Sequence, residues 1–264
     1  MPLRFDCDDA NVREWLRATF ASGALPRRTA YGSAPDLIPY GEAYPDRLID
    51  PADYKEQIRM CHATAMFPLY HQHATWAPPG YEWNQDGLPY CWAWGLTAAL
   101  MDCRAREGKP TVTLSPVSLG WLVNWASRGN YLESAIRGAR ERGVCAMEYT
   151  PDPHSRNHRN YRDGWEDNAL KHRIAEVWDL DTRSNAAMIQ HSITVLATAT
   201  PLYIAYNWWN HALQCCGLRW DESQPYNLVW QIRNSHNESD IIELTGSRAV
   251  PDEAYGIRAT LTEV

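Results

Sequence analysis

The sequence predicts an α+β protein with two lobes, a helical lobe followed by a lobe built on an antiparallel sheet or small barrel. Two observations favour this fold class. Apolar stretches long enough for helices precede residue 180, whereas the last third of the chain has short apolar or alternating segments separated by turn residues. Helices and strands segregated in this way are typical of α+β proteins. A cleft between the two lobes is a natural place for a functional site.

An N-terminal arm, residues 1–79, is predicted to precede the main domain, residues 80–264. Residues 9–20 carry apolar side chains near helical spacing. Residues 23–51 are rich in Pro, Gly, Tyr and Asp and indicate irregular structure. A short helix is expected from Pro51 to about His62, with Asp50 as its cap.

The main domain begins with the helical elements and ends with the strands. Helices are predicted at Cys91–Asp102, Val117–Ala126, Leu132–Arg142 and Asp167–Val177, with most of 150–168 as a loop. Strands are predicted at Ile193–Ala197, Leu202–Tyr206, Ala212–Cys216, Leu228–Arg233, Ile241–Leu244 and Ile257–Leu261.

Composition excludes several classes of partner. The chain has 264 residues, is 45% hydrophobic and carries a formal net charge of -7, so a nucleic-acid-binding surface is not expected. No apolar run is long enough for a membrane span, and the N-terminus lacks the pattern of a signal peptide. His71 and His73, or His154 and His158, could pair on a metal, but nothing near them completes a site. We therefore predict neither a metal nor a cofactor.

The cysteines indicate a reducing, intracellular compartment. There are seven, an odd number without regular spacing. Cys215 and Cys216 are adjacent and would point to opposite faces of a strand. This usage is not that of a disulfide-stabilised secreted protein.

Cys91 is the strongest candidate nucleophile. The turn-prone residues Asp86, Gly87 and Pro89 precede it, and an uninterrupted apolar run follows. A thiol at a helix N-terminus lies in the positive end of the helix dipole, which stabilises the thiolate. Gln85 could place an amide donor beside the sulfur. For an isolated cysteine, a structural role in the core is the more common alternative.

The pattern Gln-x5-Cys-Trp-Ala-aromatic at residues 85–94 resembles the nucleophile motif of the papain family of cysteine peptidases. Further stretches resemble that family in the same order over roughly residues 80–264. They are Leu114-Ser115-Pro116, Gly129-Asn130-Tyr131, Ser134-Ala135-Ile136, Asn210-His211-Ala212-Leu213, Trp230-Gln231-Ile232-Arg233-Asn234-Ser235 and Tyr255-Gly256-Ile257. The resemblance implies a papain-like fold and peptide or amide hydrolysis through an acyl-thioester intermediate.

The resemblance also implies the role of each catalytic residue. Cys91 would be the nucleophile, His211 the base that takes and returns its proton, and Asn234 the residue that orients the imidazole. Gln85 and the Cys91 backbone N–H would form the oxyanion hole. His211 as a core histidine and Asn234 as a strand-end residue are the alternatives.

The substrate-binding positions implied by the resemblance are Gly129, Asn130, Tyr90 and His236, and they depart from the family pattern. Tyr90 stands where the family usually has a small residue, and the glycine pair that binds substrate backbone is Gly129-Asn130 here. His236 replaces the tryptophan expected two residues after Asn234. Hydrolysis of ordinary extended peptides is therefore a less secure expectation than the fold.

Two alternatives to a peptidase of phage or bacterial type stay open. An irregular arm rich in aromatic residues needs something to order it, either the domain itself or neighbouring subunits of a large assembly. A phage virion protein that uses the fold as a building block, with weak or no activity, is the first alternative. A cell-wall peptide hydrolase is the second, because such enzymes share the Cys–His chemistry.

Overall fold

The computed structural model describes residues 3–8, 11, 23–64, 83–123, 129–155, 157–236 and 241–261. The helix predicted over 9–20, apart from Asn11, and the histidine pair His71 and His73 lie outside the described residues.

Seven α-helices lie in the described residues. They are α1 Tyr40–Ala43, α2 Tyr54–Ala63, α3 Cys91–Arg106, α4 Pro116–Leu122, α5 Leu132–Glu141, α6 Trp165–Leu170 and α7 Asn185–Leu196. Short 3-10 helices occur at Pro45–Arg47, Pro51–Asp53, Met147–Tyr149, His158–Asn160 and Pro225–Asn227.

The described strands form two sheets. They are β1 Leu3–Asp6, β2 Ala24–Leu25, β3 Ile38–Pro39, β4 Asn130–Tyr131, β5 Ile174–Asp179, β6 Leu202–Tyr206, β7 His211–Trp220, β8 Leu228–Arg233, β9 Ile242–Thr245 and β10 Glu253–Thr260. The large sheet has the order β1-β9-β8-β7-β6-β10-β5-β3, and β2 pairs with β4 in the small one. The centre of the large sheet is antiparallel, whereas β1 and β3 pair in parallel with β9 and β5 at its two ends. Two strands of the predicted arm therefore complete the sheet.

Helix α3 is the centre of the molecule. Every residue from Cys91 to Arg104 is buried, because the helix packs on the helical layer on one side and on β7 and β10 on the other. Gly95 allows the close approach to the sheet, since a Cβ there would lie 3.0 Å from the Leu213 backbone. The absence of that side chain brings the helix N-terminus next to the start of β7.

Two predicted elements of the main domain are wrong. The apolar run Ile193–Ala197 was expected as a strand, but most of it is the last turn of α7, a helix capped by Ser184, whose hydroxyl accepts the Ala187 N–H at 3.1 Å. The helix expected over Asp167–Val177 ends at Leu170, and β5 begins at Ile174. In both places a short β-branched or apolar run fits either structure, and packing on the sheet decides between them.

The described part of the arm packs on the main domain. Tyr40, Ile58 and Cys61 are buried within the core that covers one face of the sheet. All seven cysteines are free and buried. Among the described residues, none of the helices has the length and apolar character needed to cross a membrane.

Candidate active site

Cys91 is the first residue of α3, and its side chain is completely buried. Its sulfur accepts a hydrogen bond from the backbone N–H of Gly23, which lies 3.1 Å away. The carbonyl oxygen of Asn210 lies 4.0 Å from the sulfur. The backbone amide of Ala212 also hydrogen-bonds to the sulfur, which acts to lower the pKa of the thiol. The residues on both sides of His211 in the chain therefore surround the Cys91 sulfur.

His211 opens β7 and forms a buried pair with Asn234, which follows β8. The His211 Nε2 atom lies 2.7 Å from the Asn234 Oδ1 atom. Because an amide oxygen only accepts, Nε2 carries the proton in this pair. Nδ1 of the same ring is buried and hydrogen-bonds to none of the described residues. This tautomer leaves Nδ1 as the nitrogen that can take a proton.

Two aromatic rings enclose the imidazole. The His236 ring stacks on His211 with 4.7 Å between centroids and 17° between planes. The Trp209 ring packs against the same imidazole at 4.5 Å and is itself buried. His236, predicted at the substrate-binding surface, thus lies on the face of the histidine and shields it as an aromatic side chain can.

Burial keeps both members of the candidate pair uncharged. It raises the pKa of the Cys91 thiol to about 11, although the backbone amides around the sulfur act in the opposite direction. It lowers the pKa of His211 to about 3, with a further contribution from His236 and an opposing one from the bond to Asn234. Burial likewise lowers the pKa of His236 to about 4. A thiol and a neutral imidazole occupy the site in this conformation, not an ion pair.

Hydrogen bonds fix Gln85 beside the pair formed by His211 and Asn234. Its Oε1 atom accepts a hydrogen bond from the Ser235 hydroxyl at 2.5 Å, and its Nε2 atom donates to the Leu88 carbonyl at 2.5 Å. Its backbone N–H donates to the Ser235 carbonyl at 2.8 Å. The loop before Cys91 is therefore fastened to the residue that follows Asn234. Ser235, which the sequence alone did not single out, makes two of these hydrogen bonds.

A segment of the arm lies across the candidate nucleophile. The backbone N–H of Asn130 donates to the Gly23 carbonyl at 2.7 Å, and the N–H of Ala24 donates to the Asn210 carbonyl at 3.0 Å. Strand β2 continues from there in parallel with β4. Asn130, predicted to bind the backbone of a substrate, binds the backbone of the protein's own arm, and Gly129, predicted to do the same, packs against the Gly23 carbonyl.

The fit of this segment requires glycine on both sides. A Cβ on Gly23 would lie 2.1 Å from the Pro89 carbonyl oxygen, and one on Gly129 would lie 2.1 Å from the Gly23 carbonyl oxygen. Gly129 also has a φ of +59°. Asn210 adopts a φ of +50°, a conformation that asparagine tolerates better than most residues, while its carbonyl faces Ala24 and the sulfur. Gly23 had no distinguishing signal in the sequence.

Tyr90 belongs to the hydrophobic core. Its side chain is buried, packs on the rings of Trp92 and Trp94, and occupies the space that a side chain at Gly120 would need. Contact between Tyr90 and a substrate would require this packing to open.

A buried polar network ties the three candidate catalytic elements together. Arg233, immediately before Asn234, donates to the Gln214 Oε1 atom at 3.0 Å and lies 3.6 Å from the Asp102 carboxylate. Gln214 of β7 donates to the same carboxylate. The network therefore connects α3, β7 and β8 behind the site. A carboxylate in the last turns of an otherwise apolar helix is the sequence signal that could have predicted it.

The described residues contain no group of three or more His, Cys, Asp or Glu side chains that could hold a metal ion. His154 instead contacts the Asn84 carbonyl at 2.8 Å, and His158 stacks on Trp121 at 3.6 Å.

Comparison with known proteins shows the fold. No protein-family model matches the sequence, and no curated protein matches it either. Solved structures of papain-like cysteine proteases, however, share the architecture described above. The chain therefore has the papain-like cysteine protease fold.

Three solved structures illustrate the similarity. Xylellain, a cysteine protease from Xylella fastidiosa, has a TM-score of 0.59 and 17% identity, over 91% of this chain and 96% of that one. Digestive procathepsin L 3 of the Tenebrio molitor larval midgut has a TM-score of 0.56 and 14% identity, over 93% and 78%. The ragweed pollen allergen Amb a 11, a cysteine protease in its proform, has a TM-score of 0.53 and 16% identity, over 73% and 65%.

Proposed function

We propose that the protein is a cysteine peptidase that hydrolyses peptide or amide bonds, and that its arm holds it in a latent state. The observation that carries the proposal is the buried hydrogen bond between His211 and Asn234, placed so that both chain neighbours of His211 surround the Cys91 sulfur. A structural core would have no need of an oriented imidazole with an unbonded nitrogen whose chain neighbours contact a thiol at a helix N-terminus.

Each candidate residue has one role in the proposed reaction. The Cys91 sulfur attacks the carbonyl carbon while its proton passes to Nδ1 of His211. The carbonyl oxygen becomes an oxyanion, which the Cys91 N–H and the Gln85 amide stabilise. The amine leaves with the proton from His211, and water hydrolyses the thioester that remains. Asn234 holds the ring in the required tautomer throughout.

Residues 23–25 account for latency. Their backbone hydrogen-bonds to the backbone groups of Asn130 and Asn210 that line the cleft, and the Gly23 N–H donates a hydrogen bond to the Cys91 sulfur. They also help to exclude water from the sulfur, and burial keeps the thiol neutral. The similar structures include a procathepsin and a protease in its proform. Release of this segment would admit both substrate and water.

The test is labelling of Cys91 with an epoxysuccinyl thiol-peptidase inhibitor near neutral pH, with the adduct located by mass spectrometry. Gly23→Val places a side chain against the Pro89 carbonyl and is expected to displace the segment, so labelling should be at least about tenfold faster than in the wild type. Ala30→Val, which introduces valine at an exposed arm position, should label at the wild-type rate.

His211→Ala in the Gly23→Val background distinguishes an activated thiol from one that is merely exposed. The proposal requires the fast labelling to disappear in this double variant, because neutral thiols react slowly with epoxides. Fast labelling that survives the loss of His211 contradicts it, and so does a Cys91 that stays unreactive in a folded Gly23→Val protein. The virion and cell-wall alternatives remain predictions.

A further inference from the structure

A second part of the arm fills a pocket in the main domain with a buried arginine. The Arg27 guanidinium makes a bidentate pair with Asp179, with Nη1 to Oδ1 at 2.9 Å and Nη2 to Oδ2 at 2.7 Å. Its Nε atom lies 3.6 Å from the Glu133 carboxylate. The Arg27 side chain is 9% exposed, so nearly all of this arginine is removed from water.

The carboxylates of this pocket all belong to the main domain. Asp179 ends β5 and pairs directly with Tyr255 of β10, while Glu133 lies in the first turn of α5. Glu253, two residues before Tyr255 on the same strand, accepts a hydrogen bond from the Tyr255 hydroxyl at 2.7 Å. The Arg27 guanidinium carbon lies 5.5 Å from the centre of the Tyr255 ring. Three carboxylates and an aromatic face therefore converge on one guanidinium.

Glu253 has a carboxylate oxygen that accepts no hydrogen bond from the described part of the arm. Its side chain is 1% exposed, and its Oε2 atom hydrogen-bonds to none of the described residues. Burial raises the pKa of Glu253 to about 7, and the nearby Arg27 acts against that rise. A buried carboxylate oxygen without a donor is costly, and a larger or differently placed cation could satisfy it.

The pocket lies within reach of a chain that passes over Cys91. Gly23 contacts the sulfur, and Arg27 follows it by four residues, which is at most about 14 Å of extended chain. Between them, β2 pairs with β4, the strand that ends immediately before α5 and Glu133. A peptide bound along β4 would therefore pass the mouth of the same pocket.

We propose that the pocket filled by Arg27 is a recognition site for a basic side chain, so that the substrates of this protein carry an arginine or lysine within about four residues of the bond that Cys91 attacks. The arm then acts as an internal ligand that occupies both the nucleophile and the recognition pocket. The substrate part of this inference rests on the proposed function, whereas the binding of a cation does not.

Charge and shape both favour a guanidinium. When Arg27 leaves, Asp179, Glu133 and Glu253 remain close together without a cation, which is unfavourable at neutral pH. The two carboxylate oxygens of Asp179 match a planar pair of N–H donors better than they match an ammonium group. A cavity of about 460 Å³ lies between the arm and α5 and is bordered by Thr29 and by Glu133, one of the three carboxylates.

The first experiment removes the internal ligand and replaces it with a small one. In the full-length Arg27→Ala variant, millimolar methylguanidinium should raise the melting temperature in a saturable way, and uncharged methylurea should not. Adding Asp179→Asn should weaken methylguanidinium binding by at least about tenfold, the effect expected for one charged hydrogen-bonding partner. Arg28→Ala is the matched control, because that neighbouring arginine stacks on Tyr131 instead.

A non-saturable response, or one that is equal in Arg27→Ala and in the variant that also carries Asp179→Asn, would overturn the cation site. If Arg27→Ala fails to fold, Arg27→Gln retains the first three side-chain carbons and removes the charge. Should neither variant fold alone, recovery of folded protein on refolding with methylguanidinium, but not with methylurea, becomes the readout.

The second experiment tests the substrate part. Peptidyl epoxide probes that carry arginine, norleucine or glutamate at the residues before the reactive group are compared on protein that carries both Gly23→Val and Arg27→Ala, because Arg27 would otherwise fill the pocket. The arginine probe should label Cys91 at least about tenfold faster than the norleucine probe, and the advantage should disappear with Asp179→Asn. Equal labelling by all three probes would mean that the pocket serves only to hold the arm. If no probe labels Cys91 while methylguanidinium still binds, it is the proposed function that fails.

Discussion

Two side chains of the candidate site have pKa values moved in the directions opposite to those that catalysis needs. The thiolate of Cys91 is disfavoured because the sulfur is buried, and protonated His211 is disfavoured for the same reason. With a pKa of about 11, only about one Cys91 side chain in ten thousand is ionised at pH 7. Exposure to water would reverse both effects, so the protonation state of the site depends on whether residues 23–25 cover it.

The pH dependence of Cys91 alkylation should show whether residues 23–25 cover the thiol. In the wild type, the rate is expected to increase with pH and to approach a plateau only near pH 11, because a raised pKa delays formation of the reactive thiolate. In Gly23→Val the plateau should appear below neutral pH, as in a thiolate–imidazolium pair. Rates followed with iodoacetamide at a series of pH values check this. A wild-type plateau below pH 7 would show that the site is already charged.

At the scale of elements, the candidate triad depends on how three pieces of secondary structure are fastened. Helix α3 carries Cys91, β7 begins with His211, and Asn234 follows β8. Each of these elements supplies one side chain to the buried polar network, namely Asp102, Gln214 and Arg233. The side chains of Arg233 and Asp102 are 2% and 0% exposed, so neither charge has water as an alternative partner.

Arg233→Met should lower the free energy of unfolding by about 3 to 5 kcal/mol, because it leaves the Asp102 carboxylate buried without its cation. Denaturant unfolding measures the change. The double variant Asp102→Asn/Arg233→Met removes both charges and should recover a large part of the loss. If the single variant costs less than about 1 kcal/mol, the pair does not fasten the elements as argued.

At the scale of the whole molecule, the arm is part of the fold as well as a cover. It supplies β1 and β3 at the two ends of the large sheet, and the buried side chains of Ile58 and Cys61 from α2. Helix α2 packs on β7, the strand that begins with His211. Displacement of residues 23–25 can therefore free the cleft while the rest of the arm stays in place.

Deletion experiments separate the two roles of the arm. Removal of residues 1–8 takes away β1 and should lower the melting temperature by a few degrees, since β9 becomes an edge strand. Removal of residues 1–64 also exposes the apolar surface under α2 and should give aggregated protein. Size-exclusion chromatography and thermal melting check both. A stable monomer that lacks residues 1–64 would show that the arm is a separable segment.

Much of the fold was predictable because its signals are local. The apolar run after Cys91, the turn residues before it and the alternating strands of the last third predicted α3, β6, β7 and β8 close to their observed positions. The order of the motifs indicated the papain-like fold, which the solved structures confirm. The two wrong elements, Ile193–Ala197 and Asp167–Val177, are short apolar runs whose period does not distinguish helix from strand.

The sequence by itself determined which residue types are available for the chemistry: a thiol at a helix start, a histidine at a strand start and an asparagine after the next strand. Only the tertiary structure decided that Gly23 covers the thiol and that Arg27 fills an acidic pocket, because both contacts join residues far apart in the chain. A glycine or an arginine in an irregular segment carries no period or motif. Its partner is set by the packing of the whole molecule, which also sets the dielectric surroundings and therefore the pKa values of Cys91 and His211.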